Sequence, residues 1–168
     1  GQLFVDQGLG LGPSVVLGLL IGPLAGALSS ILVVPVQLPP FIATLGVMGI
    51  ARGLAFIITE GRYFDVSSKI PGGWQPMGVP AGWVAPLMMV GLAALFQVFM
   101  KGFQWGRAIF ALGGNETAAL FSGIPVGRIK TFVYVVAGLL ASTAGVLLTL
   151  VQGQGKADLA TGYELDII

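Results

Sequence analysis

The feature that most constrains this chain is the length of its uncharged stretches. Residues 7–51 contain no Asp, Glu, Lys or Arg, and a second uncharged stretch covers residues 70–100. A membrane-crossing helix needs about 20 consecutive apolar residues, so the first stretch is long enough for two crossings and the second for one. The chain is 55% hydrophobic and 9% charged, unlike a water-soluble domain. The sequence therefore predicts an all-α protein that crosses a lipid bilayer several times.

Prolines and charged residues divide the chain into four predicted spans, at residues 13–34, 40–59, 80–100 and 131–151. Twenty helical residues cover roughly 30 Å, which matches the hydrocarbon core of a bilayer. We expect these spans to form a polytopic transmembrane helix bundle, with residues 1–168 as one domain of a larger protein. We also expect a fragment, because the chain begins at Gly1 rather than Met and ends in an apolar stretch.

Charges between the spans predict which side of the membrane each connection faces. The connection at residues 101–130 carries four basic residues and one acid, so the positive-inside rule places it in the cytoplasm. The connection at residues 60–78 has two acids and two bases, and the segment after Gln152 has three acids and one base. Both are therefore predicted to lie outside, as alternation across four spans requires. We expect three basic residues to hold the inner connection near the lipid headgroups: Arg107, Arg128 and Lys130.

Small residues recur at three- or four-residue spacing in three of the spans. They are Gly18, Gly22 and Gly26 in the first, Gly46, Gly49 and Gly53 in the second, and Gly138, Ser142 and Gly145 in the fourth. Small side chains let helix backbones approach closely, and helices in lipid associate largely through van der Waals contact. We expect these faces to pack against other helices. The alternative is that small residues are simply frequent in membrane helices.

Chemistry-bearing side chains are scarce inside the spans. Arg52 is the one charged residue there, and a guanidinium in hydrocarbon costs roughly 2.5 kcal/mol or more. It therefore either pairs with backbone carbonyls or another residue, or lies with Thr44 on the path of a transported solute. The chain has no His and no Cys, and its intramembrane hydroxyls have no base beside them. We expect no catalytic residue, no metal site and no enzyme activity.

The inner connection contains the pattern of a short helix with its own start and stop. Asn115 suits an N-cap, and Glu116 follows where the helix dipole favours a negative charge. Gly123 can adopt the left-handed closing conformation, and Pro125 prevents continuation. A helix of about two turns does not persist alone in water. It must pack against its own protein, the lipid surface or a partner subunit.

This short helix also carries a resemblance to a known family. It has the Ala-Ala-x-x-x-Gly core, preceded by Glu116, that permeases of ABC importers insert into a cleft on their ATPase subunits, and it reads ETAALFSG. A longer run resembles ribose-type monosaccharide permeases: GRAIFALGGNETAALFSGIPVGRIKTFVYVVAGLLASTAGVLLT. Two further stretches resemble that family in the same order: PPFIATLGVMGIARGLAFIITEGR and TGYELDII. The resemblance covers essentially the whole chain and about the middle half of a family member.

The resemblance implies a permease subunit of a bacterial binding-protein-dependent ABC importer, in the inner membrane, for a monosaccharide such as ribose. It implies cytoplasmic ATPase subunits, an external solute-binding protein and a second permease copy, as a homodimer. ATP would be used by the partner, since this chain lacks the phosphate-binding pattern G-x-x-x-x-G-K-[ST] and needs no cofactor. The implied ATPase-coupling residues are Gly114, Asn115, Glu116, Ala118, Ala119, Ser122, Gly123 and Ile124.

Other functions remain open on the residues alone. A related ABC importer for branched-chain amino acids or nucleosides is the nearest alternative, because few cavity residues choose the solute. An ion-coupled carrier or a channel would need no ATPase, but often carries intramembrane carboxylates, and none lies in the predicted spans. A purely structural membrane subunit would not need a capped helix in its inner connection.

Overall fold

The computed structural model describes residues 10–66 and 81–156. These residues form six helices and two short strands, in this order along the chain: α1 (Leu11–Val33), α2 (Pro40–Thr59), β1 (Phe64–Asp65), α3 (Ala81–Gly102), α4 (Gln104–Gly114), α5 (Glu116–Phe121), α6 (Val126–Gln152) and β2 (Gln154–Gly155). Four of these helices, α1, α2, α3 and α6, are long and apolar enough to cross a membrane. The predicted all-α polytopic architecture is confirmed.

Helix α6 is longer than the predicted fourth span. It begins at Val126 rather than at residue 131 and has 27 residues. At 1.5 Å per residue it is about 40 Å long, whereas the hydrocarbon core is about 30 Å thick. Because charged side chains are costly in hydrocarbon, we expect the first turns of α6, which carry Arg128 and Lys130, to extend beyond the apolar layer. This extension lets two basic residues belong to a helix that crosses the membrane.

Helices α1 and α6 run antiparallel and pack more extensively than any other pair of described helices. Gly22 lies against Gly138, and Gly26 lies against Tyr134. A methyl group added at Gly22 would overlap the carbonyl oxygen of Gly138, and one added at Gly26 would overlap that of Tyr134. The two backbones are therefore in direct contact. Such contact requires glycine, because any side chain at Gly22 or Gly26 would occupy space that the facing helix already fills.

A proline inside α1 leaves one backbone carbonyl without its usual hydrogen-bond donor, and a side chain of α6 supplies a donor. Pro23 has no backbone N–H, so it cannot donate to the carbonyl of Leu19, four residues earlier. Ser142 of α6 donates its hydroxyl proton to that carbonyl, with Oγ 3.1 Å from the oxygen. In lipid no water can replace the missing donor. Ser142 thus contributes a hydrogen bond to the helix pair, in addition to its small size.

The other small residues predicted to pack have less contact in the described structure. A Cβ atom at Gly18 would lie 3.2 Å from Val146 Cγ2. Within residues 10–66 and 81–156, no atom apart from the nearby backbone of the same helix comes within 4 Å of a Cβ built at four other positions: Gly46, Gly49, Gly53 and Gly145. Their packing role stays a prediction.

A two-stranded antiparallel ribbon joins the ends of α2 and α6. Phe64 pairs with Gly155 and Asp65 with Gln154, and the backbone N–H of Val66 donates to the carbonyl of Gly153 at 2.8 Å. Phe64 and Val66 are buried. The carboxyl ends of α2 and α6 therefore lie on one side of the helix layer, which we call the ribbon side. Residues 67–78 of the predicted outer connection, and residues 157–168, lie outside the described part of the chain.

Candidate functional site

Helix α5 begins and ends as the sequence predicts. The side-chain oxygen of Asn115 accepts a hydrogen bond from the backbone N–H of Ala118 at 3.0 Å, which confirms the N-cap. At the other end, Gly123 has a φ of +79°. The N–H of Gly123 donates to the carbonyl of Leu120, and the N–H of Ile124 donates to that of Ala119. This pair of bonds is a Schellman closure, for which a left-handed glycine is the favoured residue.

The surface of α5 is divided between one buried residue and an exposed apolar end. Ala119 is buried and faces the rest of the chain. Leu120 is exposed, and Phe121 has 85% of its surface exposed. A large aromatic residue gains little from such exposure unless another surface covers it. Helix α5 therefore presents an apolar end that the described part of the chain leaves uncovered.

The position of α5 follows from the helices on either side of it. It is connected through α4 to the carboxyl end of α3 and through residues 122–125 to the amino end of α6. That end of α6 lies beside the carboxyl end of α1, where Ser30 Oγ donates to Thr131 Oγ1 at 2.7 Å. We call this the α5 side; it is opposite the ribbon side because α6 crosses from one to the other.

Helix α4 is an element that the sequence analysis did not predict. Gly106 allows it to fold back on α3, since a Cβ atom there would lie only 2.6 Å from the carbonyl oxygen of Met100. An aromatic cluster joins α3, α4 and α6 beside this turn, with ring-centroid distances of 5.3 to 6.0 Å: Phe99, Phe103, Trp105 and Phe132. A signal was available, because Trp105, Ile109 and Leu112 follow helical spacing.

An ion pair that was also not predicted connects α5 to α6. Lys130 Nζ lies 2.6 Å from Glu116 Oε1, and the two side chains are 28% and 56% exposed. Lys130 was expected near the lipid headgroups with Arg107 and Arg128, and that placement stays a prediction. Fourteen residues separate the two partners, so no helical spacing points to the pair.

The residues implied for ATPase coupling form one continuous segment. Gly114 ends α4, Asn115 caps α5, and Ile124 follows its closing turn. Ser122 donates its hydroxyl to the carbonyl of Ala118 at 2.8 Å. The segment is therefore a rigid, hydrogen-bonded projection on the α5 side. Its function in coupling stays a prediction.

The two residues predicted for a solute path both lie on α2. Arg52 is half-buried, and Thr44 is exposed with its hydroxyl donating to the carbonyl of Pro40 at 3.0 Å. Thr44 therefore uses its only proton within its own helix and retains acceptor capacity alone. Their role on a solute path stays a prediction.

A groove of about 550 Å³ separates α3 from α6. Its walls include Met88, Phe96, Leu140 and Leu147, and the polar side chains among its lining residues are Thr143 and Gln152. The Thr143 hydroxyl donates to the carbonyl of Leu139 within α6 at 2.7 Å. Such walls suit an apolar occupant rather than a sugar, whose hydroxyls need polar partners. In the described residues there is also no cluster of acidic side chains that could hold a metal ion.

Similarity to known proteins identifies the family. Residues 2–168 match the family described as branched-chain amino acid transport system / permease component. The chain is 36% identical over 159 residues to the ribose import permease protein RbsC of Escherichia coli (strain K12), covering 92% of this chain and 50% of that protein. It is 35% identical over 167 residues to the L-arabinose ABC transporter permease protein AraH of Azospirillum brasilense, covering 92% and 47%. It is 31% identical over 167 residues to the fructose import permease protein FruG of Bifidobacterium longum (strain NCC 2705), covering 92% and 48%.

These matches confirm the resemblance to monosaccharide ABC permeases. The chain spans about half the length of these relatives. No solved structure matches it. With nearly every residue matched and four helices suited to a membrane, the chain belongs to the family of branched-chain amino acid transport system permease components.

Proposed function

We propose that this chain is the central part of the permease subunit of an ATP-driven importer for a monosaccharide, in a bacterial inner membrane. The relatives named above are import permeases for ribose and fructose and an ABC permease for L-arabinose. The observation that carries the proposal is helix α5, a capped projection with an exposed aromatic end between two membrane-crossing helices. A channel or carrier that works without a partner has no use for such a projection.

Helix α5 would act as the element that couples the permease to an ATPase subunit. The cap at Asn115 and the closure at Gly123 keep its few residues helical and define its direction. Phe121 and Leu120 would enter an apolar cleft on the ATPase, and burying a side chain such as Phe contributes about 1.5 to 3 kcal/mol. Closure of the ATPase subunits around ATP would then displace α5 and the helices attached to it. In this proposal the partner binds and hydrolyses ATP, and the permease chain needs no cofactor of its own.

The orientation follows from the charges. The α5 side carries Lys101, Arg107, Arg128 and Lys130, so it would face the cytoplasm and the ATPase. The ribbon side would face outward, where an external binding protein delivers the solute. A second permease copy, as a homodimer, would complete the pathway, because the groove between α3 and α6 has apolar walls that do not suit a sugar.

The family description favours one second candidate, an importer of branched-chain amino acids. It would use the same α5 coupling and a different solute. The two are separated by measuring import in proteoliposomes that hold the intact permease, its ATPase subunits and the binding protein. We expect ATP-dependent uptake of a pentose or hexose and none of leucine. Uptake of leucine with no uptake of sugars would select the second candidate.

The coupling role is tested by Gly123→Asp and Phe121→Ala in the same proteoliposomes. Asp at φ of +79° is strained and charged, and Ala removes the aromatic end. We expect both variants to insert normally and to lose most solute-stimulated ATP hydrolysis. Phe110→Ala is the matched control, because Phe110 is also an exposed aromatic residue and lies on α4. Normal stimulated hydrolysis in both α5 variants would remove the coupling role from this helix.

A further inference from the structure

The ion pair between Glu116 and Lys130 is a direct side-chain link between the short helix α5 and a membrane-crossing helix. Lys130 Nζ lies 2.6 Å from Glu116 Oε1, and the lysine side chain is mostly covered. Without this link, α5 is attached to α6 by residues 122–125 and the packing of Ala119. A helix of six residues has little stability of its own, so such contacts determine where it points.

Lys130 lies where α6 is itself held against α1. The next residue, Thr131, accepts a hydrogen bond from Ser30 of α1, with 2.7 Å between the hydroxyl oxygens. One turn earlier, a Cβ atom at Gly127 would lie 3.2 Å from Val34 Cγ1, so the backbone of α6 approaches the end of α1 closely. The backbone contact at Gly22 and Gly138 continues this interface into the membrane. Helices α1 and α6 therefore form one body at the level of the ion pair.

We propose that Lys130 is a positioning residue of the importer: through Glu116 it holds α5 against α6, so that displacement of α5 moves the α1–α6 pair as one body. This inference rests on the coupling role of α5 proposed above. It assigns Lys130 a task that differs from that of the other basic residues of the connection, which mark the cytoplasmic side by charge alone.

Arg128 provides the matched control. It lies two residues before Lys130 on the same helix, carries the same charge, and is exposed. Among the described residues it has no ion-pair partner. A general effect of positive charge on topology or lipid contact would therefore appear equally at both positions, whereas an effect of the ion pair would appear at Lys130 alone.

The functional test measures solute molecules imported per ATP hydrolysed, in proteoliposomes that hold the intact permease, its ATPase subunits and the binding protein. A partly exposed ion pair changes a two-state equilibrium constant by about 1.4- to fivefold. We expect Lys130→Met to lower the ratio of solute molecules imported to ATP molecules hydrolysed by about that factor, with the amount of assembled transporter unchanged. Lys130→Arg and Arg128→Met should keep the wild-type ratio. A normal ratio in Lys130→Met, or an equal loss in Arg128→Met, would overturn the proposal.

A second measurement does not depend on transport. Spin labels at cysteines introduced by Thr117→Cys on α5 and Val133→Cys on α6 report the distance between the helices in the intact permease without ATPase. We expect Lys130→Met to broaden the distance distribution and Arg128→Met to leave it narrow. An unchanged distribution in Lys130→Met would show that the ion pair does not position α5. If the wild-type proteoliposomes show no solute-stimulated hydrolysis, the proposed function fails, while this measurement still decides whether Lys130 orients α5.

Discussion

Removal of the Ser142 hydroxyl should weaken the α1–α6 pair, and the loss should depend on a proline in the opposite helix. Pro23 leaves the carbonyl of Leu19 without its usual donor within α1, and Ser142 Oγ lies 3.1 Å from that oxygen. With Ser142→Ala the carbonyl has no donor in an environment without water. With Pro23→Ala the alanine N–H can supply the donor from within α1, so Ser142 should become dispensable.

The expected loss in the free energy of unfolding follows from the contribution of hydrogen bonds between transmembrane helices to stability. Hydrogen bonds between transmembrane helices average about 0.6 kcal/mol and reach about 1.7 kcal/mol. The Ser142 hydroxyl has one proton and also lies 2.9 Å from the carbonyl of Leu139, so its interaction with Leu19 is shared. We therefore expect Ser142→Ala to lower the free energy of unfolding by about 0.5 to 1 kcal/mol. In the Pro23→Ala background the same substitution should cost less than about 0.3 kcal/mol.

The assay is equilibrium unfolding of the intact permease by sodium dodecyl sulfate in mixed micelles, followed by circular dichroism, for the four proteins of the double-mutant cycle. Thr143→Ala is the control, because the Thr143 hydroxyl donates to Leu139 within its own helix, where a backbone N–H already serves that carbonyl. We expect a cost near zero for the control. Equal costs of Ser142→Ala with and without Pro23 would refute the argument that this hydroxyl serves the carbonyl of Leu19.

Three further predictions use the same protein. Gly138→Ala should destabilise the permease by about 1 to 3 kcal/mol in the same unfolding assay, because the new methyl group overlaps the carbonyl of Gly22. Gly145→Ala, the control, should lower the free energy of unfolding by less than about 0.5 kcal/mol. Asn115→Ala should cost about 1 kcal/mol of α5 stability and accelerate amide hydrogen exchange at Ala118, and unchanged exchange there would contradict the cap. A cysteine introduced by Thr117→Cys should react with an impermeant thiol reagent in inverted membrane vesicles and not in intact cells. Labelling of this cysteine from outside intact cells would contradict the proposed orientation.

The local features were predictable because each depends on neighbours in sequence. The length and apolarity of a span are properties of about 20 consecutive residues, and four spans follow from them. The cap at Asn115 and the closure at Gly123 depend on backbone groups within five residues, so the limits of α5 were predicted correctly. Helix α4 was not predicted because it has no capping side chain at Phe103, and the spacing of Trp105, Ile109 and Leu112 is a weaker signal than a cap.

The contacts between distant residues were not predictable in the same way. Nine small residues have the spacing typical of a packing face, but only some of them lie where two helix backbones meet in the described structure. The reason is that the spacing shows that a helix has a smooth face and does not show which helix covers that face. The pairing of Glu116 with Lys130 was not predictable, because the two residues lie fourteen positions apart with a turn between them, so no helical spacing connects them.

The sequence by itself determined that this chain crosses a membrane several times, that a capped helix interrupts its basic connection, and that it resembles sugar permeases. Only the tertiary structure decided that α6 lies against α1, that Ser142 donates a hydrogen bond to the carbonyl left without a donor by Pro23, and that Lys130 pairs with Glu116 of α5. The physical reason is range. The length of an apolar span and the capping of a helix depend on residues that are close together in sequence. The choice of which helices pack together depends on contacts between residues more than a hundred positions apart, and several helices have a glycine spacing that would allow such contacts.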